Sequence, residues 1–204
     1  TANGNLLLDH LLGAQIHWAG ENRKGEDIPN LAEKLRRAGR KPFIVPYGGS
    51  NELGATAFVE ALCELDAQTY PRHLDFDHIV FASSSGGTHA GLMVGRQLLR
   101  KKFQLNGIAI DKVGTAEKSL GKQIIDLANT TAHFLEIDHR FTSSDLDLNE
   151  NYTGAGYAVI GDAEREAISM LAHHEGILVD PVYTGRAMAG LIDLIRSGAI
   201  GKNA

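Results

Sequence analysis

The 204 residues hold one cysteine, one tryptophan, three methionines and five prolines. A lone Cys63 excludes an internal disulfide framework and any all-cysteine zinc site, which fits a reducing compartment and makes the cytoplasm the expected location. Cys63 itself reads as a small core residue. Basic residues are not in excess: 20 Lys and Arg stand against 25 Asp and Glu, a net charge of -5, and no basic block could track a phosphate backbone. Nucleic acid is therefore not an expected partner. Nor is a membrane, since no apolar run approaches the roughly 18 residues that span a bilayer. Internal repeats, low-complexity segments and a compositional linker are missing as well. What is left is a soluble globular chain with an ordinary hydrophobic fraction of 43%. Two features stand out: the chain starts at Thr1 instead of Met, and it carries 23 glycines, more than the roughly 7% of an average protein. The first suggests a truncated chain, the second backbone-lined sites.

Apolar periodicity alternates between helix and strand. Helical spacing covers 5–12, then 28–38 up to a stop at Gly39. A further helix carries Phe58, Ala61, Leu62 and Leu65 on one stripe, the clearest amphipathic pattern in the chain. Helices follow at 89–101 with Val94, Leu98 and Leu99 inward, at 117–128 and at 163–173. Gly185 opens a last one with Met188, Leu191, Ile192 and Ile195 in register. Short apolar runs at 15–18, 42–46, 78–82, 105–110 and 176–180 read as strands. Such alternation implies an α/β fold with an open, mostly parallel sheet and helices on both faces. The pair Gly48-Gly49 is a plausible seam.

The most informative stretch is Phe81-Ala82-Ser83-Ser84-Ser85-Gly86-Gly87-Thr88-His89-Ala90-Gly91. A buried strand empties through small residues into a helix start, where first-turn N–H groups and the helix dipole favour an anion and glycines let a phosphate approach the backbone. Ser85 and Thr88 add hydroxyl donors. The blander alternative is an ordinary turn with Thr88 as N-cap, and His89 reads as a capping or packing histidine. A second stretch, Asp180-Pro181-Val182-Tyr183-Thr184-Gly185-Arg186, ends a strand in a proline-set turn. Ligands of open parallel sheets sit outside the carboxyl ends of the strands, where this turn, the serine loop and 154–157 converge. Tyr183 could stack, hydrogen-bond or transfer a proton there, or simply pack at the helix entrance.

Other signatures fail. Gly121-Lys122 has Ala116 where a P-loop needs glycine, and Gly154-Ala155-Gly156 has Val159 where a dinucleotide fingerprint needs its third. Asp145, Asp147 and Asn149 imitate a calcium loop, but Glu150 replaces its turn glycine, so this run reads as a solvated acidic loop. Ser83 replaces the first glycine of a nucleophile elbow around Ser85. Nine histidines show no zinc spacing, and no metal is expected.

Taken together, Ala2-Asn3-Gly4-Asn5-Leu6-Leu7-Leu8-Asp9, Pro46-Tyr47-Gly48-Gly49-Ser50-Asn51, Ser85 to Gly91, Gly154-Ala155-Gly156-Tyr157 and Asp180 to Gly185 resemble one family. It is that of the D-cysteine desulfhydrases and 1-aminocyclopropane-1-carboxylate deaminases, pyridoxal-phosphate enzymes of the tryptophan-synthase-β-like fold, type II. The motifs occur in the family's order along nearly the whole chain. The resemblance implies pyridoxal 5'-phosphate as cofactor, with its phosphate held by Ser85, Gly86, Gly87, Thr88 and His89. It implies a small amino-acid substrate contacted by Tyr157, Tyr183 and Thr184, with Tyr183 as the catalytic proton-transfer residue, and a homodimer. Deaminases of the cyclopropane amino acid typically carry glutamate where this chain has Thr184. The expectation therefore leans to desulfhydrase-like α,β-elimination giving pyruvate, ammonia and sulfide.

The departures are equally specific. Family members bind the cofactor through a lysine in a Gly-Asn-Lys segment followed by Ser-Asn, and neither segment is present; Glu21-Asn22-Arg23-Lys24 is a poor imitation. The family's later His-Thr-Gly-Gly segment is missing too. The reading is thus a central fragment: 1–50 the remnant of a smaller α/β domain, 51–204 most of the larger cofactor-binding domain, with doubtful activity alone. A rival from another class is a phosphosugar-binding, sugar-isomerase-type regulatory module, whose Ser-x-Ser-Gly-x-Thr loop Ser83 to Thr88 also fits. Such a module does not require the 180–185 turn.

Overall fold

Asparagine 51 starts the longest helix: its side chain accepts the Gly54 N–H at 2.7 Å, an N-cap that satisfies an otherwise orphaned donor. This computed structural model describes residues 3–22, 25–111 and 119–201. Ala2, the Arg23-Lys24 pair and the expected helix start at Glu117 lie outside the described residues. The chain divides into two compact units, Thr1–Tyr47 and Gly48–Ala204.

The first unit contains α1 (Gly4–Leu11) and α2 (Ile28–Arg37). Proline near the start of α2 fits the helix it opens. Its end is a double-bonded glycine stop, with the Gly39 N–H on the Arg36 carbonyl (2.9 Å) and the Arg40 N–H on that of Leu35 (3.0 Å). The strands expected at 15–18 and 42–46 are not formed. Apolar runs supply strand propensity, but a strand exists only where a neighbour accepts its ladder, and neither run has one among the described residues.

The second unit runs α3 (Glu52–Thr69), β1 (His78–Ser83), α4 (Gly87–Leu98), β2 (Gln104–Ala109), α5 (Leu120–Phe134), β3 (Leu148–Asn149), α6 (Asp162–Glu175) and α7 (Thr184–Arg196). The sheet is parallel, in the order β1-β2-β3, with His78 opposite Gln104, Ser83 opposite Ala109, and Gly107 opposite Leu148. This is the open α/β arrangement expected. Two details differ. The acidic stretch read as a solvated loop contains β3, because Leu148 carries a ladder that the flanking Asp and Asn residues obscure. The run 176–180 joins no ladder among the described residues, and its first residue, Gly176, instead caps α6 in the left-handed region at φ +66°.

Alternation along β2 assigns its two faces. Leu105 and Ala109 enter a core with Val59 and Leu62 of α3, Ala90, Met93 and Val94 of α4, and Leu120, Ile124 and Ala128 of α5. Ile108 faces the other way, against α7, where a Cβ added to Gly190 would fall 2.9 Å from its Cδ1. Helices therefore cover both faces. The buried stripes differ from those expected: α3 buries Ala55, Val59 and Leu62 while Phe58 stays partly exposed, and α4 leaves Leu98 exposed. On α7 the inward face is Gly185, Arg186, Ala187, Ala189 and Gly190, and Ile195 is exposed. Small residues win there because they let the helix axis approach the sheet more closely than a row of isoleucines would.

Candidate active site

The carboxyl ends of β1 and β2 and the amino ends of α4 and α7 share one edge of the sheet. At the end of β1 the chain turns through Gly86, whose φ of +92° is the left-handed region that an L side chain rarely adopts. The first bond inside α4 is from the Ala90 N–H to the Gly86 carbonyl (2.9 Å). The amides of Thr88 and His89 consequently lie ahead of the helix's own ladder, and the Gly87 N–H donates to Ser50 Oγ (3.0 Å). Ser50 in turn donates to Ser85 Oγ (2.8 Å). Gly48 backs this pair: at φ +65°, a Cβ there would stand 2.2 Å from Ser85 Oγ. The result is a concave nest of amides and hydroxyls at a positive helix end, which suits a phosphate dianion. Sequence reasoning gave Ser50 no role at the site, although the motif that contains it carries the resemblance; its signal was the hydroxyl after two glycines.

His89 is placed differently from the rest of the loop. Its ring is buried edge-on against Phe81, with centroids 4.9 Å apart, and its Nδ1 lies 3.2 Å from Ser83 Oγ. No hydrogen bond reaches Nε2 among the described residues. Burial, with a smaller push from the Arg96 charge, lowers its pKa to about 3, so the imidazole is neutral. What His89 offers the nest is its main-chain N–H.

The Asp180 carboxylate organises the second loop. Oδ1 accepts the N–H groups of Val182 (2.8 Å) and Tyr183 (2.6 Å), and Oδ2 accepts the Thr184 N–H (2.8 Å) and hydroxyl (2.5 Å). Burial alone would raise the Asp180 pKa, but the Thr184 hydroxyl and these amides outweigh it and hold the carboxyl below its ordinary range. The Thr184 hydroxyl is thereby committed to the turn. Tyr183, at the N-cap of α7, projects its ring toward Tyr157, and the two phenol oxygens are 2.5 Å apart with rings near-perpendicular at 70°. Residues 26 apart in sequence are thus brought to one point.

A charged pair that sequence reasoning passed over lies beneath them. Arg186 is 1% exposed and donates Nε to Glu164 Oε1 at 2.7 Å. Its Nη1 donates to the carbonyls of Ile110, Thr153 (3.0 Å) and Gly156 (3.2 Å), and Nη2 to that of Val159 (2.8 Å). Burial would raise the Glu164 pKa, but the Arg186 hydrogen bond and the Gly161 amide lower it, so the pair is ionised. The available signal was an arginine inside an otherwise small and apolar helical face. Because the Ile110 N–H donates to the Ser83 carbonyl (3.0 Å), the guanidinium is only one residue away from the serine loop.

A cavity of about 240 Å³ lined by Leu62, Leu65, Phe76, Leu99 and Phe103 lies at the opposite, amino end of the strands and is not part of this arrangement. Among the described residues no cluster of His, Cys, Asp and Glu could hold a metal ion, and no helix is long and apolar enough to cross a membrane.

The family model described as "Pyridoxal-phosphate dependent enzyme" matches residues 1–204. The chain belongs to this family. A D-cysteine desulfhydrase of Klebsiella pneumoniae (strain 342) is 37% identical over 193 residues, covering 94% of this chain and 57% of the relative. A solved structure described as an ACC deaminase homologue superposes with a TM-score of 0.87 at 33% identity, over 98% of this chain and 59% of that one. The chain thus spans under two thirds of the length of the relatives it matches. A phosphosugar-binding module, the rival reading of the serine loop, finds no support in this family. Pyridoxal phosphate carries a dianion of the kind that the Gly86 nest suits. Of the lysines, Lys101 is paired with Asp66 and Lys122 with Asp126.

Proposed function

We propose that this chain forms the phosphate-binding and amino-acid-binding side of a pyridoxal-phosphate-dependent lyase that converts D-cysteine and water to pyruvate, ammonia and sulfide. The observation that carries the reading is the meeting of Tyr157 and Tyr183 on the sheet edge that also bears the serine nest. Ser85, Gly86, Gly87, Thr88 and His89 hold the cofactor phosphate, the last two through main-chain N–H groups, and Ser50 orients the Ser85 hydroxyl toward it. When bound, the cofactor supplies an electron sink that acidifies the substrate Cα–H.

The chain's own groups then orient the amino acid and handle protons. Tyr183 Oη gives its proton to the departing sulfur. The Tyr157 hydroxyl, at hydrogen-bond distance, stabilises the negative charge left on that oxygen. Thr184, tied to Asp180, forms the floor beneath the substrate; a threonine there in place of glutamate supports elimination over ring-opening deamination. The reading extends to a homodimer located in the cytoplasm.

The test is an absorbance titration of the chain with pyridoxal phosphate, followed by D-cysteine and an assay of sulfide and pyruvate, using Tyr183→Phe and Tyr157→Phe beside the wild type. Saturable cofactor binding that inorganic phosphate displaces is expected. Tyr183→Phe lowers kcat by roughly 10²- to 10³-fold, within the range for a lost proton donor, and Tyr157→Phe lowers it less. Unaltered turnover in Tyr183→Phe removes that residue from the mechanism. Failure of phosphate to compete removes the serine nest.

A further inference from the structure

Arg186 is the largest fully buried side chain in the described structure. Its charge is met by one carboxylate, Glu164, so charge balance does not explain the remaining donors. Nη1 and Nη2 reach the carbonyls of Thr153, Gly156 and Val159, all in the 153–159 segment, and that of Ile110 at the end of β2. Among the described residues the segment belongs to no helix or strand, and its internal backbone bonds are two long turns, Gly156 N–H to Thr153 (3.2 Å) and Val159 N–H to Gly156 (3.3 Å). It also contains Ala158 at φ +60°, a conformation that costs energy for any residue with a Cβ and persists only when its surroundings impose it. Tyr157 sits inside this segment and Tyr183 three residues before the arginine.

We infer that Arg186 is a positioning residue, which clamps the 153–159 segment and so fixes Tyr157 Oη against Tyr183 Oη. Being buried, it touches neither phosphate nor substrate; it acts through Tyr157. The inference rests on the reading of the two phenols as the amino-acid side of the site. A planar fork is what the arrangement demands, because four carbonyls and a carboxylate are met at once from one plane. A lysine ammonium could retain Glu164 but has at most three donors, so it would release part of the segment.

Hydrogen exchange read by mass spectrometry compares the chain with Arg186→Lys, Arg186→Met and Arg186→Met combined with Glu164→Gln, the last removing the carboxylate left unpaired. Amides of 153–159 are expected to exchange at least tenfold faster in both methionine variants and to an intermediate degree in Arg186→Lys, while α5 keeps its protection. Unchanged exchange in the segment, or equal loss across α5 and β2, overturns the clamp.

A second readout titrates D-cysteine into the pyridoxal-phosphate-loaded chain. Arg186→Lys is expected to bind the cofactor within twofold of wild type but to need about tenfold more D-cysteine for the same absorbance change, in parallel with Tyr157→Phe. A shift in Tyr157→Phe with none in Arg186→Lys overturns the inference. If neither variant shifts while exchange in 153–159 rises, the substrate-site reading fails and the clamp is upheld.

Discussion

Lowering the pH from 7 to 4.5 should destabilise the chain through His89 before any carboxylate contributes much. The ring is 1% exposed in the first turn of α4, its Nε2 has no partner among the described residues, and its folded pKa is about 3 against 6.5 for the free side chain. Below pH 6.5 the unfolded chain binds a proton that the folded chain refuses, so stability falls as pH falls. The contribution is whole above about pH 6.5, declines through the acid range and is gone below about pH 3. Each pH unit inside that window costs about 1.4 kcal/mol, which gives about 2 to 3 kcal/mol between pH 6.5 and 4.5. Glu164 and Asp180 also have lowered pKa values, but their contributions are intact above the ordinary carboxylate range and are lost only as pH falls below it. Urea denaturation followed by circular dichroism at pH 7, 5.5 and 4.5 measures the loss. His89→Gln keeps a hydrogen-bonding partner for Ser83 and removes the titration, so its stability should change by about 2 to 3 kcal/mol less over the same window. Parallel curves for the two proteins would refute the claim that the imidazole is held neutral.

Gly48→Ala should abolish or weaken pyridoxal phosphate binding at least tenfold in an absorbance titration, because the added methyl would stand 2.2 Å from Ser85 Oγ in a left-handed backbone position. Affinity equal to wild type would mean that the Ser50-Ser85 pair is not part of the phosphate nest. Asp180→Ala removes the acceptor of three amides and the Thr184 hydroxyl; a loss of about 1 to 2 kcal/mol, the scale of a lost helix cap, is expected in thermal unfolding. The same substitution should raise the D-cysteine concentration at half-saturation, since Tyr183 hangs from that turn.

The α/β class and the parallel order were legible because alternating 3.6-residue periodicity and short continuous apolar runs report which surfaces must be covered. Helix ends were legible where chemistry marks them, as at Asn51 and at Gly39 with its two stop bonds. Inward faces were less so. On α7 the isoleucines drew attention, yet Gly190 and Ala187 meet the sheet, since closeness of approach is set by the smallest residues and hydrophobicity scales do not weigh that. Strand runs 15–18, 42–46 and 176–180 show the complementary limit: a sequence records the tendency to extend, whereas pairing depends on what lies beside it.

At the site, the serine loop and the 180–185 turn could be found because anion nests and proline-set turns are local devices. The direction of a side chain is not local. His89 and Thr88 are neighbours on one helical turn, but 100° of helical rotation turns the imidazole into the core behind Phe81 and leaves only its amide at the nest. Thr184 carries a hydroxyl at the site's edge, and Asp180 four residues earlier takes it. Arg186 was the hardest to read, since a charged residue near a helix start looks like a solvated one until its surroundings are known. The cue lies in its neighbours: Gly185, Ala187, Ala189 and Gly190 can only be inward if the arginine between them is inward too, and a buried guanidinium obliges the fold to bring acceptors to it. Three of those acceptors belong to the segment that carries Tyr157. A small-residue face interrupted by one arginine is therefore a sequence-level sign that a distant loop is being held from below.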